Sequence, residues 1–201
     1  KFKIIKKLSI LIVILAIASL STFAQEKYID SQEKYTLDYS VEWKHIPDNL
    51  LKKRFNKVQK NAKSDKIITY DAGFQKRLSK GWLTYPYVLI NKIETGRLSD
   101  SDIKKMVGSF KKDIEELTED KSYRYKAFLK KLNMNETYFE EKRQRFISMM
   151  EVRTVYGTLT CLMIMKLTSF GSVNLFFYTT PNKCDSQYQD FMEFADGLVI
   201  S

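Results

Sequence analysis

Two runs near the end of the chain, Tyr156 to Lys166 and Val173 to Thr180, are apolar on both of their alternating faces. In the first run Leu159, Cys161 and Met163 fall on one side, and Leu162 and Ile164 on the other. A strand of this kind needs protein on both sides, so it belongs at the centre of a layered fold. The link between the runs, Thr168-Ser169-Phe170-Gly171, is short enough for a hairpin, which makes the pair antiparallel.

The rest of the chain supplies what covers them. Tyr35 to Ser40 alternates as a strand, and Pro47-Asp48-Asn49 then starts a helix with Leu51, Phe55, Val58 and Ala62 at helical spacing. Lys66 to Gln75 and Tyr87 to Ile93 read as two further strands. Ser99, with Asp102 three residues on, predicts a capped helix whose stripe is Ile103, Met106, Val107, Phe110, Ile114 and Leu117. Lys121 to Thr137 is polar and reads as a short helix and loop. From Phe139 the period changes to two, with Phe146, Ser148, Met150 and Val152 alternating with Arg145, Ile147, Met149 and Glu151. Asp185 or Ser186 is expected to cap a closing helix with the stripe Tyr188, Phe191, Met192, Ala195, Leu198 and Val199.

The order is β-α-β-β-α-β-β-β-α, an α+β chain that predicts a three-layer α/β/α sandwich around a mainly antiparallel sheet. This order, with Tyr35 to Ser40 feeding a Trp43…Ile46-Pro47 turn, resembles the PsbP-like superfamily of α/β/α sandwiches. The resemblance takes in the hairpin over 156–180 and the closing helix. It implies an exported, non-enzymatic binding or assembly-assisting domain, and it brings no catalytic residues with it.

Export is also expected from the first 24 residues. Lys1, Lys3, Lys6 and Lys7 form a basic head, Leu8 to Leu20 an apolar stretch, and Ser21-Thr22-Phe23-Ala24 ends in a small residue. That is the layout of a secretory signal peptide, with cleavage expected between Ala24 and Gln25 and one domain over 25–201. Ser9, Ser19, Ser21 and Thr22 interrupt a stretch that would need about 20 apolar residues to span a membrane. A retained anchor, making this the extracytoplasmic domain of a membrane protein, is the alternative. The chain starts with Lys and is expected to have lost at least one residue; it is also open to continuation beyond Ser201.

An exported protein works in a periplasmic or extracellular medium, without ATP or NAD(P)H. The formal charge of +10 includes four lysines from residues 1–24 and no acid, which leaves +6 for the rest. A mildly basic exported domain suits an anionic envelope component or membrane surface better than nucleic acid. The only two cysteines, Cys161 and Cys184, sit in a strand and at a helix start, and an oxidising medium makes a bridge between them one of two readings. The other is a pair of unrelated thiols.

Little in the chain points to catalysis. His45 is the only histidine, just before Ile46-Pro47, and reads as a turn-capping imidazole rather than a catalytic base. No metal-ligand spacing, phosphate loop or nucleophile elbow is present, and no cofactor is expected. Asp38, Asp65, Asp71, Glu94 and the pair Glu140-Glu141 are the carboxylates from which a metal-independent hydrolase would be built, the alternative function.

Two binding candidates remain. Lys52, Lys53, Arg54, Lys57, Lys60 and Lys63 stand on the first helix with no acid among them, and present ammonium groups to an anionic surface. The segment Tyr70 to Tyr87 mixes Tyr70, Phe74, Trp82, Tyr85 and Tyr87 with Lys76, Arg77 and Lys80, an interface-type combination. The expected partner is a protein or an anionic envelope component. Phe74, Trp82 and Tyr87 packing over a sheet edge is the competing reading.

Overall fold

A computed structural model describes residues 25–62, 69–119, 129–154 and 157–201. The expected signal segment and its cleavage point at Ala24, Lys63, Asp65, the start of the strand read from Lys66, and residues 121–128 lie outside the described residues. The strands are β1 (Gln25–Ile29), β2 (Tyr35–Ser40), β3 (Trp43–His45), β4 (Ala72–Lys76), β5 (Tyr87–Glu94), β6 (Leu129–Glu140), β7 (Arg145–Thr154), β8 (Gly157–Leu167), β9 (Gly171–Thr179) and β10 (Leu198–Ile200). The helices are α1 (Asp48–Ala62), α2 (Asp100–Glu119) and α3 (Cys184–Asp196).

Seven strands form one antiparallel sheet in the order β3-β4-β5-β9-β8-β7-β6, and β1-β2-β10 form a small second sheet. The hairpin β8–β9 lies inside the large sheet, where its two apolar faces require it. Its register pairs Leu162 with Phe177 and Ile164 with Leu175 on one face, and Met163 with Phe176 on the other.

The first face carries the main core. Phe74, Val88, Ile90, Ile147, Leu162, Ile164, Leu175 and Phe177 meet Phe191 and Phe194 of α3, and Tyr35, Leu37 and Tyr39 of the small sheet. Phe177 stacks on Phe191 at 4.8 Å, and Trp43 lies 4.9 Å from Phe194. The second face is covered by the other helices. Leu51 of α1 joins Ile46 and Leu89 in a satellite core, with its methyls against Gly73. Phe110 of α2 lies 4.5 Å from Phe146, which alternates with the inward Ile147 of β7. The architecture is therefore the α+β, three-layer sandwich of the sequence, with a small sheet added to the α3 layer.

The helix starts differ in how they are capped. Ser99 Oγ accepts the Asp102 N–H at 3.2 Å and donates to its carboxylate at 2.5 Å, as the capping pattern predicts. The closing helix begins one residue before Asp185, at Cys184, after a 3-10 turn over Pro181–Lys183, and its N-cap Lys183 makes no side-chain cap. Ser186 Oγ instead donates to the Lys183 carbonyl at 2.9 Å.

Three segments depart from the sequence reading. Leu129–Glu140 is strand β6, not helix and loop. It is an edge strand paired only with β7, and its register shifts between Asn133 and Tyr138, so it lacks the alternation that marks a buried strand. The strand read over 66–75 is β4, centred later. Leu198 and Val199 are not the last turn of a helix but part of β10, paired with Thr36 and Leu37 of β2.

Gly197 makes that last switch possible. The Asp38 N–H donates to its carbonyl at 3.0 Å, and a Cβ added at Gly197 would lie 1.9 Å from the Asp38 carbonyl oxygen. Its φ of −71° suits any residue, so space alone excludes a side chain. Gly197→Ala is expected to cost about 2–3 kcal/mol, by forcing α3 and β10 away from β2. Urea unfolding measures this, and a loss under half a kcal/mol would mean that the backbone yields cheaply there.

Candidate functional site

Residues 77–86 leave β4 and cross the second face of the large sheet before β5. Their shape is set by Gln75, whose side chain is wholly buried. Gln75 Nε2 donates to the Gly81 carbonyl at 2.8 Å, and its Oε1 accepts the Leu83 N–H at 2.7 Å. One amide thus fixes the loop at two points and satisfies its own polar atoms. Gly81, at φ +78°, makes the reversal between them. Lys44 of β3 adds a third tether, donating to the Ser79 carbonyl at 3.4 Å and lying 4.8 Å over the Trp82 ring.

The loop carries its apolar groups outward. Leu78 is 97% exposed and Trp82 43%. Tyr85, near the loop's end, stacks on Tyr87 at 5.2 Å, Tyr87 packs on Tyr178 at 5.2 Å, and Tyr70 meets Phe176 edge-on at 6.0 Å. Burial raises the phenol pKa of Tyr87 and of Tyr178 far above the ordinary range, so these hydroxyls stay protonated.

The structure sorts the expected patch residues. Tyr70, Leu83, Tyr87 and Leu50 at the start of α1 pack around the satellite core of Ile46, Leu51 and Leu89; Tyr85 joins them by stacking on Tyr87, and Trp82 lies under Lys44. Lys52, Lys53 and Arg54 are exposed at the start of α1; Lys57 belongs to α1, and its side chain is outside the described set. Phe74 is corrected out of the patch. It is 0% exposed and faces the opposite side, ringed by Tyr39 at 4.9 Å, His45 at 5.2 Å and Phe194 at 5.4 Å. Arg77 is committed to the fold: its Nε donates to the Val41 carbonyl at 2.7 Å and its Nη2 to Glu26 at 2.6 Å. Lys76 is committed too, bonded to Glu42 at 2.9 Å and Asp190 at 2.6 Å.

The cysteines are free thiols, which corrects the bridge reading. Cys161 points to the second face and bonds Tyr178, whereas Cys184 of α3 sits on the first face, 3.8 Å from Met149 Sδ. The sheet separates them. Burial pushes the Cys161 thiol up to about 12, which makes it unreactive at neutral pH.

Asp30, Asp38 and Glu94 pair with lysines, and Asp71 is held by a backbone amide. Asp30, Asp71 and Glu94 gather on Lys92, whose Nζ is 3.0 Å from Asp30 and 3.8 Å from Glu94, and whose N–H donates to Asp71 at 2.6 Å. Asp38 lies 3.9 Å from Lys27. His45 stacks on Tyr28 at 5.1 Å, and burial lowers its pKa against the pull of Asp48, 3.6 Å away. Among the described residues no three metal-ligating side chains stand together, and no helix is long and apolar enough to cross a membrane.

A second cluster escapes the sequence reading. Arg145 opens β7 in register with Lys166 of β8, both on the first face in line with the core residues Ile147 and Ile164. Glu140 accepts from Arg143 Nη1 and Arg145 Nε at 2.6 Å each. Asp196, the last residue of α3, accepts from Arg143 Nη2 at 2.9 Å and Arg145 Nη1 at 2.7 Å. Two guanidiniums and two carboxylates thus close a ring. The sequence signal was the period-two alternation, which sets Arg145 on the same side as Ile147 and Met149, where an arginine needs a reason.

No family model and no curated protein matches the chain. Among solved structures it is similar to PsbP of the cyanobacterium Synechocystis, at 12% identity over 90% of this chain and 95% of that one, with a TM-score of 0.49. It is likewise similar to the Ran-binding protein Mog1p of Saccharomyces cerevisiae, at 10% identity over 89% and 96% of the chains, again at 0.49.

Proposed function

We propose that the protein is an exported, non-catalytic binding domain that docks an anionic protein or envelope component on the face built by residues 77–86 and the start of α1. The observation that carries this reading is Leu78 and Trp82 standing exposed on a loop whose backbone is pinned by buried Gln75. Exposed apolar groups on a fixed support gain free energy when a partner covers them, and little loop entropy is lost in the process. Lys44 lies over the Trp82 ring, Lys80 is exposed in the loop, and Lys52, Lys53 and Arg54 are exposed at the start of α1, which favours a partner of negative charge. The basic head and apolar stretch of residues 1–24 support export.

The test is capture from an envelope fraction by wild type, by Trp82→Ala with Leu78→Ser, and by Lys52→Glu with Lys53→Glu. Partner recovery is expected to fall about tenfold or more in the first variant, since exposed Trp anchors dominate such interfaces. In the second it falls most at low salt, where charge acts furthest. Equal recovery of the same partners by all three proteins would sink the reading.

A further inference from the structure

Beside the Arg143–Glu140–Arg145–Asp196 ring lies a cavity of about 370 Å³, on the opposite face of the sheet from residues 77–86. Its apolar wall includes Ile164, Leu175 and Leu198, and its polar wall is cationic. Within the ring two positive and two negative charges cancel. Lys142 and Lys166 also line the cavity, and they leave an excess of two positive charges.

Two of the donors here are not used up. Arg145, with a side chain 3% exposed, has its Nη2 buried and without a hydrogen-bond partner among the described residues. Lys166 Nζ donates to the Leu198 carbonyl at 2.7 Å, and an ammonium has two further N–H bonds to give. Burial first, and then the nearby Arg145, lower the Lys166 pKa against the pull of Asp196. The Arg145 orphan is closed off from solvent, whereas Lys166 stands in the cavity wall with N–H bonds to spare, and an acceptor in the cavity would satisfy them.

We infer that this cavity binds a small phosphate monoester with a short apolar body. A phosphate monoester carries about −1.5 to −2 at neutral pH, which matches the cationic excess, and its oxygens can accept the N–H bonds that Lys166 Nζ has left to give. The apolar body lies against Ile164, Leu175 and Leu198. The volume exceeds what an inorganic ion fills and falls at the small end of organic-ligand sites. The inference does not rest on the docking surface proposed above.

Calorimetric titration of the full protein with butyl phosphate, inorganic phosphate and butanoate tests it. Butyl phosphate is expected to bind at one saturable site, at least tenfold more tightly than the other two. Lys166→Met removes the ammonium and keeps the ring, and should weaken butyl phosphate at least tenfold. Arg143→Gln, on the exposed side of the ring, should weaken it at least threefold, and it keeps the test open if Lys166→Met does not fold. Trp82→Ala should leave the affinity unchanged. No saturable binding, equal affinity for butanoate, or undiminished affinity in the folded cavity variants would overturn the inference. So would binding to vesicles containing phosphatidic acid with butyl phosphate silent, because the partner would then be a membrane surface.

Discussion

Phe74→Ala is expected to lower the stability of the domain by about 3–5 kcal/mol, the range for a fully buried phenylalanine cut back to a methyl. The ring sits where three parts of the fold meet. Tyr28 and Tyr39 reach it from the small sheet at 5.5 and 4.9 Å, His45 from β3 at 5.2 Å, and Phe194 from α3 at 5.4 Å. None of these neighbours can move into the gap alone, since each is fixed by its own strand or helix. A domain of this size is stable by only about 5–15 kcal/mol, so the variant should unfold at much lower urea with an unchanged slope. Trp82→Ala, by contrast, should stay within about 0.5 kcal/mol of wild type, as an exposed residue does. A Phe74→Ala loss below 1 kcal/mol would show that the small sheet does not rest on this ring.

The same residue shows what was legible in the sequence. Phe74 stands near Lys76, Arg77 and Trp82, and local composition alone makes it part of a cation-and-aromatic loop. Its burial depends on β3 and β5 pairing on either side of β4, and on a second sheet closing over it, which are contacts made far along the chain. The hairpin β8–β9 was readable because its demand for two covered faces is written in each strand. Strand β6 was not, because an edge strand with a shifted register has no such demand.

Faces follow the same rule. Period two places Cys161 opposite Leu162, but only the packing of α3 on the Leu162 side shows that Cys184 lies across the sheet. Arg145 was visible as an arginine in line with Ile147, whereas its partners come from the end of β6 and the end of α3. Charge pairing between distant segments leaves no periodic trace. The exposed loop was legible as chemistry, and its rigidity, which comes from the Gln75 clamp, was not.

Removing an acid from the Arg145 ring should cost more than removing the arginine. In Asp196→Ala the guanidinium of Arg145, 3% exposed, loses the acceptor of its Nη1 while its Nη2 already lacks one. Arginine cannot shed its charge, so a buried cation is left half-paired at a cost of about 3–5 kcal/mol. In Arg145→Met the buried charge itself is gone. Glu140 and Asp196, 22% and 35% exposed, keep Arg143 and some water, so the loss should be about 1–2 kcal/mol or less. Acid provides an independent reading of the same ring. Burial opposes the charged form of Glu140, yet hydrogen bonds from Arg143 and Arg145 prevail and hold its pKa below the ordinary 4.5. In the unfolded chain Glu140 takes up its proton first as pH falls, so its stabilising effect is complete above about pH 4.5 and drains away below, through the lowered folded value. Melting temperatures from pH 7 to pH 3 should therefore fall less steeply below pH 4.5 in Glu140→Gln than in wild type. Parallel curves, or an Arg145→Met loss as large as that of Asp196→Ala, would show that the ring does not hold a charge the fold must neutralise.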